Sequence, residues 1–272
     1  MDGGVELTAF LVNESRARRP ELAQDPLAAH WIPDAQRDQV RQLWDEYADE
    51  VYPHDDLVVS LRGRCIVDLL SEALERNPET VLLVCGAGFT SYPWLRRFPV
   101  AIEADLPRII EAKQRRLAEL VAAGVVDDRP VEHRAVDLAD PAARRRLVDH
   151  VRTVAAGRPV VYVVEGVIFY LPDAEARAVA GLGAQFGPGT VSAVSYWPVA
   201  AADNPVLAAQ RGWFRRRGVP ESASYLTVDD IAAAADAKVD NESPEQLQQR
   251  YLGEVSVAEW GLIPEHIAVA RS

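Results

Sequence analysis

Val81-Leu82-Leu83-Val84-Cys85-Gly86-Ala87-Gly88 is a run of five apolar residues that passes directly into a G-x-G turn. Five residues suit a strand better than a helix, and a strand apolar at every position is one covered on both faces, as in a parallel sheet. Downstream, Val100-Ala101-Ile102-Glu103, residues 131–136, Val160-Val161-Tyr162-Val163-Val164 and residues 190–196 repeat the signal. Between them lie amphipathic helical stretches. One covers 106–123, with Pro107 in its first turn and Gly124 placed to end it; another opens near Asp140-Pro141, and a third begins at Pro172. Strand and helix in alternation predict a doubly wound α/β sheet, mostly parallel. Two late runs, 254–257 and 266–270, alternate polar and apolar residues and are expected as an antiparallel C-terminal edge. Residues 204–225 read as irregular helix, and Thr227-Val228-Asp229-Asp230 has the spacing of a capping box.

Upstream of Asn77-Pro78 the pattern is helical only. Val40, Leu43, Trp44, Tyr47 and Val51 form one stripe, and Cys65, Ile66, Leu69, Leu70 and Leu74 another. The expected organisation is therefore a helical cap over residues 1–77 and a sheet-based core over 78–272, with an insertion around 197–227. A chain of 272 residues with Lys+Arg 29 against Asp+Glu 41 carries a net charge of -12, which argues against nucleic acid and anionic membrane surfaces as partners. No apolar run approaches the roughly 20 residues of a membrane span, and the first ten residues lack a basic segment followed by an apolar one. The two cysteines, Cys65 and Cys85, read as buried thiols in a reducing cytoplasm, and two cysteines without a histidine pair cannot complete a zinc site.

The turn after the first strand is a weak signal alone. A dinucleotide fingerprint would place a third glycine where Ser91 stands, which disfavours a nicotinamide-dependent reductase. What strengthens it is the row of carboxylates at successive strand ends: Glu103 and Asp105, then Asp137 beside Leu138, then Glu165. In an open α/β sheet these ends converge at the topological switch point, where an acid can accept from ribose hydroxyls, an adenine amino group or an ammonium. Glu165, beside so apolar a strand, requires a hydrogen-bonding or cationic partner.

Val84-Cys85-Gly86-Ala87-Gly88, Ile102-Glu103-Ala104-Asp105-Leu106-Pro107, Val136-Asp137-Leu138 and Val164-Glu165-Gly166-Val167-Ile168-Phe169-Tyr170-Leu171-Pro172 resemble, in order and spacing, the successive blocks of the leucine carboxyl methyltransferase family. The resemblance covers roughly residues 62–171. It implies a Rossmann-like class I methyltransferase fold, S-adenosylmethionine as methyl donor with S-adenosylhomocysteine as product, and O-methylation of a small-molecule or peptide acceptor, as in bacterial natural-product and polyketide pathways; no metal is expected, because the acids are accounted for and none are paired at ligand spacing. Gly86 and Gly88 would approach the cofactor's amino-acid part, Asp105 would take the ribose hydroxyls with Glu103 in support, Asp137 and Leu138 would sit at the adenine, and Glu165 would face the methionyl ammonium and sulfonium. Arg62 occupies the place of the family's carboxylate-pairing arginine, with Arg64 the alternative. The chain departs from the family at Phe89-Thr90-Ser91-Tyr92-Pro93-Trp94, where an Asp-Thr-Arg-like stretch is usual. A non-catalytic, cofactor-binding relative is a further alternative, and either a monomer or a homodimer is compatible with the reading.

Methyl transfer from a sulfonium is an in-line displacement governed by positioning. A carboxylate acceptor is already ionised at neutral pH and needs no base, whereas a phenol or hydroxyl does. Among the five histidines only His54, in a loop between N-terminal helices, is a candidate base, and His30, His133, His150 and His266 have no partners legible in the sequence. The absence of a clear base favours a carboxylate. Tyr170, Tyr196 and Trp197 are expected to line the acceptor pocket, together with Trp213, Phe214 and Tyr225, and Arg215-Arg216-Arg217 to orient an anionic substrate. Arg144-Arg145-Arg146 is expected to be a solvated helix face.

Overall fold

The computed structural model describes residues 5–219 and 224–272; residues 220–223 of the expected insertion and the first four residues of the expected cap lie outside them. Among the described residues five α-helices precede the first strand: α1 Val5–Arg18, α2 Pro20–Ala23, α3 Ala28–Trp31, α4 Arg37–Glu50 and α5 Asp55–Arg76. Then come β1 Val81–Cys85, α6 Tyr92–Leu95, β2 Val100–Asp105, α7 Pro107–Ala122, β3 Val131–Ala135, α8 Pro141–Ala155, β4 Val160–Val164, α9 Asp173–Ala180 and β5 Val191–Pro198. The chain ends with α10 Pro205–Arg215, β6 Tyr225–Leu226, α11 Val228–Ala235, β7 Val239–Glu242, α12 Pro244–Leu252 and β8 His266–Arg271.

The sheet has the order β3-β2-β1-β4-β5-β8-β7, with β6 pairing separately on β5. Pairs from β3 through β5 are parallel, and β8 is antiparallel to both β5 and β7. This is the α/β Rossmann-like methyltransferase arrangement expected, with an N-terminal helical extension. Every residue of β1 and β4 is buried, which explains why these two strands read as unbroken apolar runs. The chain order reverses between β1 and β4, and the carboxyl ends of these strands therefore flank the crevice where ligands bind in open sheets.

The helices before β1 are joined to the sheet by α5, whose Leu61, Cys65, Ile66 and Leu70 share one apolar cluster with Leu82, Val84, Val161 and Val163. Helix α1 is buried nearly all round; Phe10, Leu11, Asn13, Ser15 and Arg16 are all inaccessible. Such a helix has no amphipathic stripe, because it has no solvent face to contrast with.

One expected strand is overturned. Residues 254–257 are irregular, and the sheet edge is β7 instead. The run follows Gly253, whose φ of 79° ends α12, and its backbone is satisfied by a side chain: Gln248 Oε1 accepts from the N–H groups of Ser256 and Val257 at 3.0 Å, and Gln248 Nε2 donates to Val257 O at 2.7 Å. Once those groups are paired, no ladder is needed. Arg144 is a second correction. It is buried, donates to Leu138 O and pairs with Glu175, and so anchors the loop that follows β3; Arg145 and Arg146 are exposed as expected.

No helix among the described residues is long and apolar enough to cross a membrane. Cys65 and Cys85 are both buried free thiols, each pushed up to about 12 by burial.

Candidate functional site

A cavity of about 320 Å³ opens at the carboxyl ends of β1, β2 and β4, and α1 and α5 close its far side. Its floor is the turn after β1. Gly86 has φ 71°, and a Cβ built there would lie 1.9 Å from Val167 Cγ2, so the loop after β4 packs directly on bare backbone. Gly88, at φ 44°, donates its N–H to Asp105 Oδ2 at 2.7 Å, while Leu106 N donates to Asp105 Oδ1 at 2.7 Å. Burial raises the Asp105 pKa and the two backbone donors oppose that rise. A carboxylate has about four acceptor sites, so two remain for a ligand. Asp137 is exposed at the rim, its Oδ1 accepting from Ala139 N at 2.9 Å, and Leu138 beside it is buried.

Beyond this floor lies a buried ionic cluster. Glu165 Oε1 accepts from Arg62 Nε at 2.6 Å and from Arg16 Nη2, and Glu165 Oε2 accepts from the Tyr92 hydroxyl. Arg62 also pairs with Glu265, and Arg16 Nη1 lies 3.8 Å from Asp25. Burial alone would raise the Glu165 pKa, but the two guanidinium groups and the Tyr92 hydroxyl bring it down to about 2. For Glu265 and Asp25 burial wins, and both are raised. Gly63 makes this cluster possible, since its missing side chain leaves Arg16 Nε only 3.1 Å from where a Cβ would sit.

The rest of the cavity is apolar, with aromatic rings standing among aliphatic side chains such as Val58, Leu171 and Ile263. Phe169 and Trp197 stack with centroids 4.1 Å apart and planes 2° from parallel, Tyr170 meets Phe169 edge-on at 5.0 Å, and Tyr47 lies 5.8 Å from Phe214. Asp55 enters this lobe from the first turn of α5, accepting from Ser15 Oγ at 2.6 Å, the Tyr52 hydroxyl at 2.8 Å and the Tyr47 hydroxyl at 3.3 Å. Burial raises its pKa against those donors.

Of the residues expected at the site, Arg62, Gly86, Gly88, Asp105, Asp137, Leu138, Glu165, Tyr170 and Trp197 line this one cavity. Four of the expected residues do not line it. Glu103 stands one pleat earlier than Asp105, about 7 Å lower along the strand. There it is buried under the turn, with Lys113 Nζ 2.6 Å from Oε1 and His133 Nε2 3.2 Å from Oε2. Lys113 in turn donates to Thr90 O at 3.0 Å and Ala87 O at 3.4 Å, so Glu103 acts on the β1 turn from below. Burial lowers the Lys113 pKa against the pull of Glu103. Tyr196 faces away from the cavity because successive strand residues alternate and Trp197 faces it; the Tyr196 hydroxyl donates to Asn241 Oδ1 at 2.7 Å. Arg64, two residues from Arg62 and so on the opposite side of α5, pairs with Asp68 at 3.0 Å. His54 is the N-cap of α5 and lies outside the cavity; the residue that the helix start places inside is Asp55.

The arginine run 215–217 lies outside as well. Arg216 pairs with Glu50 at 2.9 Å, and Arg217 stacks 3.6 Å over Trp213. Trp213 and Tyr225 sit in the apolar cluster behind the lobe rather than on its wall. Asn13, Arg16, Tyr92, Asp55 and Glu265 were not legible as site residues. The family departure at 89–94 was the one signal for them, since it supplies Tyr92 to Glu165.

The donor set suits a nucleoside with a cationic tail: a glycine turn, a carboxylate with spare lone pairs at the end of β2, and an ionic cluster in which acids outnumber the two arginines. Buried polar atoms without partners, Asn13 Oδ1, Thr90 Oγ1 and Arg16 Nε, belong to residues lining the same space. Among the described residues no cluster of three or more His, Cys, Asp or Glu has metal-holding geometry.

Comparison with known proteins agrees with this arrangement. A protein of Mycobacterium sp. (strain KMS), named by inference an S-adenosyl-L-methionine-dependent methyltransferase, is 34% identical over 151 residues, 53% of this chain and 47% of the relative. A Mycobacterium marinum protein of the same description is 37% identical over 123 residues, 42% of this chain and 34% of the relative. The chain thus spans about half the length, or less, of the curated relatives it matches. Among solved structures, a methyltransferase by inference from Thermobifida fusca YX superposes with a TM-score of 0.63 at 14% identity, covering 86% of this chain and 88% of the other. A DUF574 family protein from Streptomyces avermitilis MA-4680 gives 0.58 at 16%, covering 86% and 90%; at such identities the likeness is one of fold. The sequence profile described as leucine carboxyl methyltransferase matches residues 6–181, well over half of the chain, and the chain belongs to that family.

Proposed function

We propose that this protein is an S-adenosylmethionine-dependent O-methyltransferase acting on a small molecule. The observation that carries the reading is Asp105: it is fixed by the Gly88 and Leu106 N–H groups and still has two acceptor sites for vicinal ribose hydroxyls. The Gly86-Ala87-Gly88 turn would admit the cofactor backbone closely, Asp137 and Leu138 would take the adenine edge and face, and Arg62 and Glu165 would meet the methionyl carboxylate and ammonium. The excess of acids suits a donor with a net positive charge and opposes a pyrophosphate, which argues against a nicotinamide dinucleotide.

When bound, S-adenosylmethionine supplies an electrophilic methyl group. The chain's own residues hold it in line with the acceptor and exclude water, and such positioning can be worth up to roughly 7–11 kcal/mol. The helices before residue 77 would serve as the lid, through Asn13 and Arg16 of α1, and residues 197–227 as part of the acceptor wall. Two acceptor readings follow. A carboxylate acceptor draws support from the family's name and from the lack of a histidine on the cavity wall among the described residues. A hydroxyl acceptor draws support from the lobe itself, where the charged group is Asp55 rather than a cation.

Calorimetry with S-adenosylmethionine, S-adenosylhomocysteine and NADH tests the proposal. It requires binding of the first two and loss of at least tenfold affinity in Asp105→Ala. Preferential binding of NADH would refute it.

A further inference from the structure

We propose that Asp55 is the group that receives the acceptor's proton, and that the acceptor is a neutral, flat aromatic molecule presenting a hydroxyl to it. The inference rests on the methyl-transfer reading above and names the acceptor that reading leaves open.

The shape of the lobe points to a flat molecule. Phe169 and Trp197 form one stacked wall, and Tyr47, Tyr170 and Phe214 complete an aromatic surround suited to offset or edge contacts with a planar ring. The charges point away from a carboxylate. The cations lining the cavity are Arg16 and Arg62, and both already face acids: Glu165 and Asp25 for Arg16, Glu165 and Glu265 for Arg62. A carboxylate placed in the lobe would meet Asp55 and Glu265 without a cation of its own, and burying an anion so is strongly unfavourable.

Asp55 is built to accept. Its two oxygens take three hydroxyl donors, from Ser15, Tyr52 and Tyr47, and among the described residues hold no Lys or Arg hydrogen bond, which leaves about one acceptor site of four. Its geometry is over-determined: Trp44 Nε1 donates to Ser15 Oγ at 2.8 Å, and Gln210 Nε2 donates to the Tyr47 hydroxyl at 2.8 Å. Burial that favours the neutral carboxyl also favours taking up a proton. Asp55, Tyr170, Arg62 and Glu265 line one and the same cavity, so the lobe is continuous with the methyl-donor end.

The step balances. The acceptor O–H bond breaks and its proton passes to Asp55; an O–CH3 bond forms as the S–CH3 bond breaks, and that electron pair stays on sulfur to give S-adenosylhomocysteine. The positive charge lost from sulfur equals that of the proton, which Asp55 later releases to solvent.

The test compares a naphthol with the naphthoate of the same ring, on the full chain and on Asp55→Asn. Cofactor-free binding is read by quenching of tryptophan fluorescence, and methyl transfer by label from S-adenosylmethionine. The wild type should bind the naphthol at least about tenfold more tightly than the naphthoate and methylate it. Asp55→Asn should lower naphthol turnover by about a hundredfold or more, the usual loss on removing a general base, and should narrow the binding preference by relieving repulsion of the naphthoate. Preferential binding or methylation of the naphthoate by the wild type overturns the inference, and this comparison stands even if Asp55→Asn does not fold. Unchanged naphthol turnover in folded Asp55→Asn overturns it equally. Failure to bind S-adenosylmethionine, with the Asp55-dependent naphthol preference intact, would instead remove the methyl-transfer reading and leave the acceptor site standing.

Discussion

The backbone N–H of Gly88 donates to the carboxylate of Asp105 at 2.7 Å, which ties the turn after β1 to the end of β2. The bond joins the segment that a cofactor must approach most closely to the acid proposed to hold its ribose. It also fixes the carboxylate orientation before any ligand arrives, which limits the ordering penalty on binding. Asp105→Asn keeps the shape but replaces one acceptor oxygen with a donor facing a donor. Calorimetry should show S-adenosylhomocysteine affinity reduced about 10- to 100-fold, the scale of a lost charged hydrogen bond. Unchanged affinity would place the ribose elsewhere.

Gly86 offers a purely steric test. Any side chain there meets Val167, and the residue's φ of 71° disfavours L-residues besides. Gly86→Ala should destabilise the protein by about 1–3 kcal/mol in denaturant titration, the range of core overpacking. Adding Val167→Ala should recover part of that loss but not all, since the backbone strain persists.

Lys113 and Glu103 are both completely buried and bonded to each other. Lys113→Met leaves a buried carboxylate uncompensated and should cost about 3–5 kcal/mol, whereas Lys113→Met with Glu103→Leu should cost less than the single change. Thermal unfolding of the cycle checks this. Because Lys113 also holds Ala87 O and Thr90 O, cofactor affinity should fall in the double variant even where stability recovers.

Glu165 sets a pH dependence. Its folded pKa, about 2, lies below its ordinary 4.5, so its contribution is full above 4.5 and disappears as pH falls through about 2. The stability gap between wild type and Glu165→Gln should therefore narrow across that window. Asp25, Asp55 and Glu265 are shifted upward and act with the opposite sign, so the difference between the two proteins is the quantity to measure. A gap that is constant from neutral pH down to about 2 would contradict the ion cluster.

Tyr196 and Trp197 show how far the sequence could be read. The strand was legible, but which of two adjacent aromatics faces the cavity depends on a one-residue register that a strand buried from Val191 to Trp197 does not reveal. Glu103 and Asp105 posed the same difficulty along a strand: both carboxylates were visible, and only the strand's end point separates the proposed ribose ligand from a buried partner of Lys113. The central strands were plain because burial on both faces removes polar residues. Helix α1 fell within the expected helical cap but showed no stripe of its own for the same reason, since burial of Phe10, Ser15 and Arg16 removes the periodic contrast that marks a surface helix. The Asp55 environment joins the nearby Tyr47 and Tyr52 to Ser15 on α1, and that last convergence only tertiary structure supplies. Trp197→Ala should accordingly impair methyl transfer, and Tyr196→Phe should leave it intact while losing about 1 kcal/mol of stability with the Asn241 hydrogen bond.

A crystal structure of the complex with S-adenosylhomocysteine tests the central assignment most directly. The ribose hydroxyls should lie within hydrogen-bond distance of Asp105, with the adenine between Leu106 and Leu138 and the amino-acid end against Arg62 and Glu165. Nucleoside density outside this cavity, or a ribose out of reach of Asp105, would contradict the account.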